Sequence, residues 1–147
     1  ITVRVNYRVQ GRHKVSPFVC LSDAKSAIRY IRKNADSLCI KSDSIVASGG
    51  SAGGHLAAAI ASIDGFNDAT DDLSVSCKPN LLVLFNPVLD NGPKDMVMMS
   101  KKAYKEFSPY YNIKKGLPPT IIFLGTNDNL IPVETMENYR DNMLELG

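Results

Sequence analysis

The segment SGGSAGGHLAAAIASI, residues 48–63, constrains the fold of this chain more than any other stretch of its sequence. Two glycine pairs flank Ser51 and Ala52, and an almost uninterrupted apolar run follows them. Because glycine permits backbone angles and close approaches that a Cβ atom prevents, the cluster predicts a sharp turn. The apolar run has no polar face, which predicts a helix over residues 52–63 that is buried on all sides. The preceding residues 44–48, SIVAS, predict a short strand.

Strands and helices alternate along the rest of the chain. The predicted strands cover residues 2–9, 44–48, 81–88 and 120–125. The predicted helices cover residues 22–35 after a loop at 10–21, then 52–63, 101–107 and 132–147. This alternation predicts an α/β fold with three layers, α/β/α, and a mostly parallel sheet.

Composition narrows the class of protein. The 147 residues suffice for one domain with a real core, and 44% apolar with 22% charged residues are ordinary globular values. A net charge of +2 argues against nucleic-acid or membrane-surface binding, and no apolar stretch is long enough for a membrane span. Cys20, Cys39 and Cys77 lack the spacing of a zinc site or disulfide framework, and the acidic residues of 64–72 lack EF-hand spacing. We therefore expect neither a metal nor a cofactor.

The glycine cluster also matches a catalytic motif. Gly49, Ser51 and Gly53 fit the pattern G-x-S-x-G between a predicted strand and a predicted helix, which is the context of a nucleophile elbow. In such a turn small neighbours, here Gly49 and Gly53, permit the strained backbone of the serine. The Ala52 N–H at the start of the helix would then stabilise an oxyanion. The alternative is a glycine-rich turn that binds phosphate or only packs closely, although neither a Walker loop nor a dinucleotide fingerprint is present.

Several segments in order resemble landmarks of a known superfamily. They are VNYRV, SGGSAGGHLAA, LFNPVLD, FSPYYNI and PPTIIFLGTNDNLIPVETMENYRDNMLELG. Together they resemble the α/β-hydrolases, and most closely the esterase/lipase group that contains carbohydrate acetylesterases and feruloyl-esterase-like enzymes. The resemblance implies that residues 1–147 are a partial domain with a cap-like insertion at about 89–118.

The same resemblance assigns site residues. It implies that Ser51 is the nucleophile and Asp128 the acid of a catalytic triad, with Asp90 as the rival acid. Asn86, Pro87 and Leu130 are the candidates for the substrate pocket.

The histidine of the triad has no candidate in the expected place. The order on this fold is serine, acid, histidine, whereas His13 precedes the serine and His55 lies one helical turn after it. The resemblance therefore implies a base on a strand and loop beyond Gly147, and a second oxyanion donor on a loop before the counterpart of residues 2–9. The strand that leads into that loop would separate the counterparts of residues 2–9 and 44–48. Without it the sheet rearranges, or a homo-oligomer with strand exchange fills the position, or the sequence is part of a larger protein.

Three functional hypotheses follow. The first is a serine ester hydrolase acting through an acyl-enzyme on short acyl esters or acetylated or feruloylated carbohydrates, with the isolated chain nearly inactive. The second is a hydrolase-like binding protein without catalysis, and the third a flavodoxin-like phosphate-binding module. The sequence leaves a cytoplasmic and a secreted or periplasmic location equally open.

Overall fold

The computed structural model describes residues 1–92 and 103–147 and contains a parallel sheet of three strands in the order β1-β2-β3. The strands are β1 (Val46–Gly50), β2 (Leu81–Phe85) and β3 (Thr120–Phe123). The register pairs Gly50 with Phe85 and Phe85 with Phe123, so the three carboxyl ends form one row. The predicted parallel sheet with helices is confirmed.

The described helices are α1 (Gln10–His13), α2 (Pro17–Lys33), α3 (Ala52–Ser62), α4 (Ala103–Phe107) and α5 (Val133–Leu146), with a 3-10 helix at Pro109–Tyr111. Those that pack on the sheet cover one of its faces. Leu82 and Leu84 of β2 share a buried cluster with alanines of α3 and with Met136 and Tyr139 of α5. Leu21 and Ile28 of α2 pack in turn against Leu56 and Ile60 of α3. Since alternate strand residues point to opposite faces, α3 and α5 lie on the same side of β2.

The other face of the sheet carries apolar side chains that the described residues leave exposed. We call it the open face, and it consists of Val46, Leu81, Phe85, Ile121 and Phe123. Ile121 and Phe123 are each 49% exposed, and the rings of Phe85 and Phe123 stack with centroids 5.2 Å apart. In the described part of the chain the sheet is therefore packed on one side.

The predicted strand at residues 2–9 is wrong. This segment pairs with no strand among the described residues, and most of it is exposed. Its alternating pattern suits a strand, but a strand requires a hydrogen-bonded neighbour, which the described residues do not supply. Arg8 instead donates from its backbone N–H and its guanidinium to the carboxylate of Asp23.

Several element boundaries also differ from the prediction. Helix α2 begins at Pro17 rather than Ser22, because proline suits the first turn of a helix, where its missing N–H costs nothing. Strand β2 ends at Phe85 rather than 88, since Pro87 cannot donate to a sheet. Within the described residues no helix combines the length and the hydropathy needed to cross a membrane.

Cations on α2 hold the loop at residues 64–80, which the sequence predicts only as a solvated loop. Lys25, 1% exposed, donates from Nζ to the carbonyls of Ile63 (2.6 Å) and Gly65 (2.5 Å). Arg29, one turn on, donates to Asp71 at 2.6 Å and Asn67 at 2.7 Å. The loop is thus fixed to the helix layer, and Asp71 serves an ion pair there.

Candidate active site

Ser51 occupies a sharp turn between β1 and α3. Its backbone angles, φ 51° and ψ −119°, lie in a region that residues with a side chain rarely adopt. Its N–H donates to the carbonyl of Phe85 at 3.0 Å, and its carbonyl accepts from the His55 N–H at 2.9 Å. The turn is therefore held by β2 on one side and by the first turn of α3 on the other, while Ser51 itself is exposed. Strain maintained by such contacts is typical of functional turns.

Two glycines give this turn the space that it requires. A Cβ atom on Gly49 would lie 2.4 Å from the carbonyl carbon of Gly53, and one on Gly54 would lie 2.9 Å from the Cβ of Pro87. A Cβ on Gly53 would meet nothing within 4 Å. The expectation that Gly53 must be small for steric reasons is therefore wrong, and Gly54 takes that role because α3 crosses the chain after β2 at that point.

The carboxyl ends of the three strands lie side by side, and the predicted nucleophile and acid both follow strands at this end of the sheet. Ser51 follows β1, Asn86 follows β2, and Asp128 follows β3 by a short turn. Because adjacent strands lie about 4.8 Å apart, β1 and β3 are separated by roughly 10 Å. That separation leaves room for a third group between Ser51 and Asp128, which do not hydrogen-bond to each other among the described residues.

Asp128 is held as a carboxylate by the backbone. Its Oδ1 accepts the N–H groups of Leu130 at 2.8 Å and Ile131 at 2.9 Å. These bonds, that of Ile131 first, lower the pKa of Asp128 below its ordinary value. The side chain therefore caps the turn after β3. A fixed, charged carboxylate is also what orients a histidine in a triad.

The three pocket candidates have different environments. Asn86 has a left-handed φ of 36°, donates its N–H to the Phe123 carbonyl at 2.7 Å, and lies beside Gly50 of the elbow. Leu130 is 90% exposed next to Asp128. Pro87 is fully buried against Gly54, so its assignment to the pocket lining is wrong. The proposed insertion at 89–118 includes residues 93–102, which lie outside the described residues.

Among the described residues neither histidine hydrogen-bonds to Ser51 Oγ. The Nδ1 atom of exposed His13 accepts the N–H of Val9 at 3.0 Å. The His55 ring is buried, and its Nδ1 lies 2.9 Å from the carbonyl oxygen of Val88. Burial lowers the pKa of His55 to about 4, which keeps the imidazole neutral.

Sequence reasoning missed the polar contacts around the chain that follows β2. Asp90, weighed only as a rival acid, accepts a hydrogen bond from the Tyr111 hydroxyl at 3.1 Å. Asn91 donates its N–H to the Ser108 hydroxyl at 2.9 Å. The side-chain nitrogen of Asn91 also lies 3.3 Å from Nδ1 of His55. The signal for this contact was a histidine inside an otherwise apolar helix, because a buried polar group requires a partner.

Comparison with known proteins gives a consistent result. Residues 1–105 match the model of the BD-FAE family. Esterase 2 of Thermogutta terrifontis, in the form phosphorylated by paraoxon, is 42% identical and superposes with a TM-score of 0.89. The match covers 97% of this chain and 53% of that one.

Two curated relatives are more distant. The probable carboxylic ester hydrolase LipM of Mycobacterium tuberculosis is 26% identical over 169 residues, covering all of this chain and 38% of that protein. The acetylxylan esterase of Xylanibacter ruminicola is 26% identical over 144 residues, covering 89% of this chain and 28% of that protein. The chain thus spans well under half the length of these curated relatives. With the elbow, the parallel sheet and the family match in agreement, this chain belongs to the BD-FAE family and has the α/β-hydrolase fold of its esterase relatives over the part it spans.

Proposed function

We propose that these residues belong to a serine carboxylic-ester hydrolase in which Ser51 is the nucleophile and Asp128 the triad acid. The observation that carries the proposal is the strained Ser51 at a strand-to-helix turn, in the same row of strand ends as the charged Asp128. A phosphate-binding or packing turn has no need of a serine in this backbone region. Relatives named as esterases support the same chemistry.

The proposed reaction first transfers the acyl group of the substrate to Ser51 and then hydrolyses the acyl-serine. Ser51 Oγ attacks the ester carbonyl carbon and gives its proton to a histidine base that this chain does not supply, while the Ala52 N–H donates to the developing oxyanion. The alcohol departs with that proton, and water then hydrolyses the acyl-serine. His13 and His55 are both engaged elsewhere, so we expect the 147-residue chain alone to be nearly inactive.

Short acyl esters are the proposed substrate class. Esterase 2 has been solved with propionate and with butyrate bound, and another relative is an acetylxylan esterase. Within this class we propose acetylated or feruloylated carbohydrates as the more specific substrates. Asn86 and exposed Leu130 are the proposed pocket residues, because both lie at the edge of the sheet beside the catalytic pair.

A fluorophosphonate that reacts with activated serines tests the proposal. We expect it to label a protein in which these residues are extended at both ends to the length of esterase 2. Labelling should be lost in Ser51→Ala and reduced strongly in Asp128→Asn. Labelling that survives Ser51→Ala would reject the assigned nucleophile. Failure of the extended protein to react would favour a binding protein, or a phosphate module if phosphate binds the turn.

A further inference from the structure

His55 makes contacts that connect three separate parts of the fold. Its side chain is 4% exposed, and its ring lies 4.5 Å from the ring of Phe107, centroid to centroid. Its Nδ1 lies 2.9 Å from the Val88 carbonyl. Since a carbonyl oxygen only accepts, we assign the proton of the neutral ring to Nδ1, because this 2.9 Å contact is shorter than the 3.3 Å approach of the Asn91 amide nitrogen to the same atom. In this tautomer Nε2 is the nitrogen that could accept a proton, but it is buried without a hydrogen-bond partner among the described residues, so His55 is not placed to act on Ser51 as the general base.

The backbone of Val88 is held at both its N–H and its carbonyl group. Its N–H donates to the carbonyl of Ser51 at 3.4 Å, and its carbonyl accepts from His55. One residue earlier, Pro87 packs on Gly54 so closely that a Cβ atom there would lie 2.9 Å away. Residues 86–88 thus rest directly on the elbow and on the first two turns of α3.

The same segment reaches β3. The N–H of Asn86 donates to the carbonyl of Phe123 at 2.7 Å, in the strand that leads to Asp128. A continuous set of backbone hydrogen bonds therefore joins Ser51, the segment after β2 and the end of β3. His55 supplies the side-chain hydrogen bond to Val88 within this set.

We propose that His55 is a positioning residue, whose Nδ1–H fixes the Val88 peptide and thereby the placement of Ser51 relative to the end of β3. This inference rests on the proposed function for its catalytic consequence, but its structural part stands on the hydrogen bonds alone. Catalytic geometry is sensitive to such support, because a misplacement of 1 Å can cost about 10²-fold in rate.

The donor position allows a sharp choice of variants. An asparagine amide nitrogen lies close to where Nδ1 lies, whereas a glutamine amide nitrogen lies closer to the position of Nε2. His55→Asn therefore keeps the donor, His55→Gln displaces it, and His55→Phe keeps an aromatic ring against Phe107 without a donor. If His55 only filled space, the larger aromatic ring of His55→Phe would preserve the structure better than His55→Asn does. His13→Phe, on an exposed histidine, is the matched control.

Amide hydrogen exchange in the 147-residue chain tests the structural part. We expect the Val88 N–H to exchange about tenfold faster or more in His55→Phe and His55→Gln, and to stay near the wild-type rate in His55→Asn and His13→Phe. If His55→Phe does not fold, the contrast between asparagine and glutamine decides. Unchanged exchange in the glutamine variant, or equal loss in the asparagine variant, would overturn the proposal.

Kinetics in the extended protein test the catalytic part. With 4-nitrophenyl acetate, we expect His55→Gln to lower kcat by about 10- to 10²-fold with KM within about twofold, and His55→Asn to restore most of it. A fall confined to KM, or no fall at all, would contradict positioning. If Ser51→Ala retains full activity, the proposed function fails, while the exchange result still decides whether His55 holds Val88.

Discussion

At the residue scale, the turn around Ser51 depends on space at one of its flanking glycines and not at the other. Gly49 and Gly53 occupy equivalent places in the motif, yet a Cβ atom collides with backbone only at Gly49. The motif alone predicts the turn and its strained serine. It does not predict which glycine is required, because that depends on how α3 folds back over the end of β1.

The two glycines therefore give a matched pair of substitutions. We expect Gly49→Ala to destabilise the chain by about 2–3 kcal/mol, because the elbow must shift to accept the methyl group. Gly53→Ala should leave stability unchanged or raise it by about 0.5–1 kcal/mol, since Gly53 lies in α3 with free space around it. Urea unfolding measures both. Equal losses in the two variants would show that the turn tolerates no methyl group at either position.

His55 makes a separate prediction about pH. Its pKa is about 4 in the folded chain against an ordinary 6.5, so the unfolded chain binds more protons between these values. The free energy of unfolding is therefore not reduced by His55 above pH 6.5. It decreases as the pH falls from 6.5 toward 4, by about 3 kcal/mol over the whole range. As the pH falls through this window, the unfolding free energy of wild type should decrease relative to that of His55→Asn, which has no titrating group there, and measurements at several pH values check this. Parallel pH profiles would contradict the shift.

At the scale of elements, sequence patterns predict the interiors of β1, β2, β3, α3 and α5 well. Each of these is marked by a continuous apolar run or by a proline at its start, and such signals are local. The strand at 2–9 could not be judged in this way, because its existence depends on a neighbour elsewhere. The local turn that Asp128 forms depends on residues adjacent in sequence, whereas the buried ring of His55 and its bond to Val88 depend on contacts distant in sequence.

The attachment of the loop to α2 can be tested through its buried cation. Lys25→Met preserves most of the side-chain volume but leaves the carbonyls of Ile63 and Gly65 without their donor. We expect a loss of about 2 kcal/mol in the free energy of unfolding. Lys33→Met, exposed on the same helix, should change it by less than about 0.5 kcal/mol. A stabilised Lys25→Met would mean that desolvation of the ammonium group outweighs its hydrogen bonds.

At the scale of the whole molecule, the helices and the open face make the sheet strongly asymmetric. The helix side contains the buried cluster around Leu82 and Leu84, whereas Phe85, Ile121 and Phe123 remain about half exposed on the other side. Among the described residues β1 and β3 are also the two edge strands of the sheet. Contiguous apolar surface of this kind is typical of a surface that associates with another.

We therefore expect the 147-residue chain to self-associate through the open face. Ile121→Thr combined with Phe123→Thr should shift the mass measured by light scattering toward the monomer, because both side chains are 49% exposed and threonine retains β propensity. Leu73→Thr, on an exposed leucine outside the open face, is the control. A wild-type chain that stays monomeric at all concentrations would disprove the prediction.

The burial of Lys25 has a practical consequence for following this molecule as it unfolds. Among the lysines that the structure describes, it alone is buried, and its amine is engaged by two carbonyls at the end of α3. Amine-acylating reagents should therefore modify the other described lysines first and reach Lys25 only when α2 separates from α3. Mass spectrometry of the peptide that contains Lys25 would then measure the rate at which the helix layer opens.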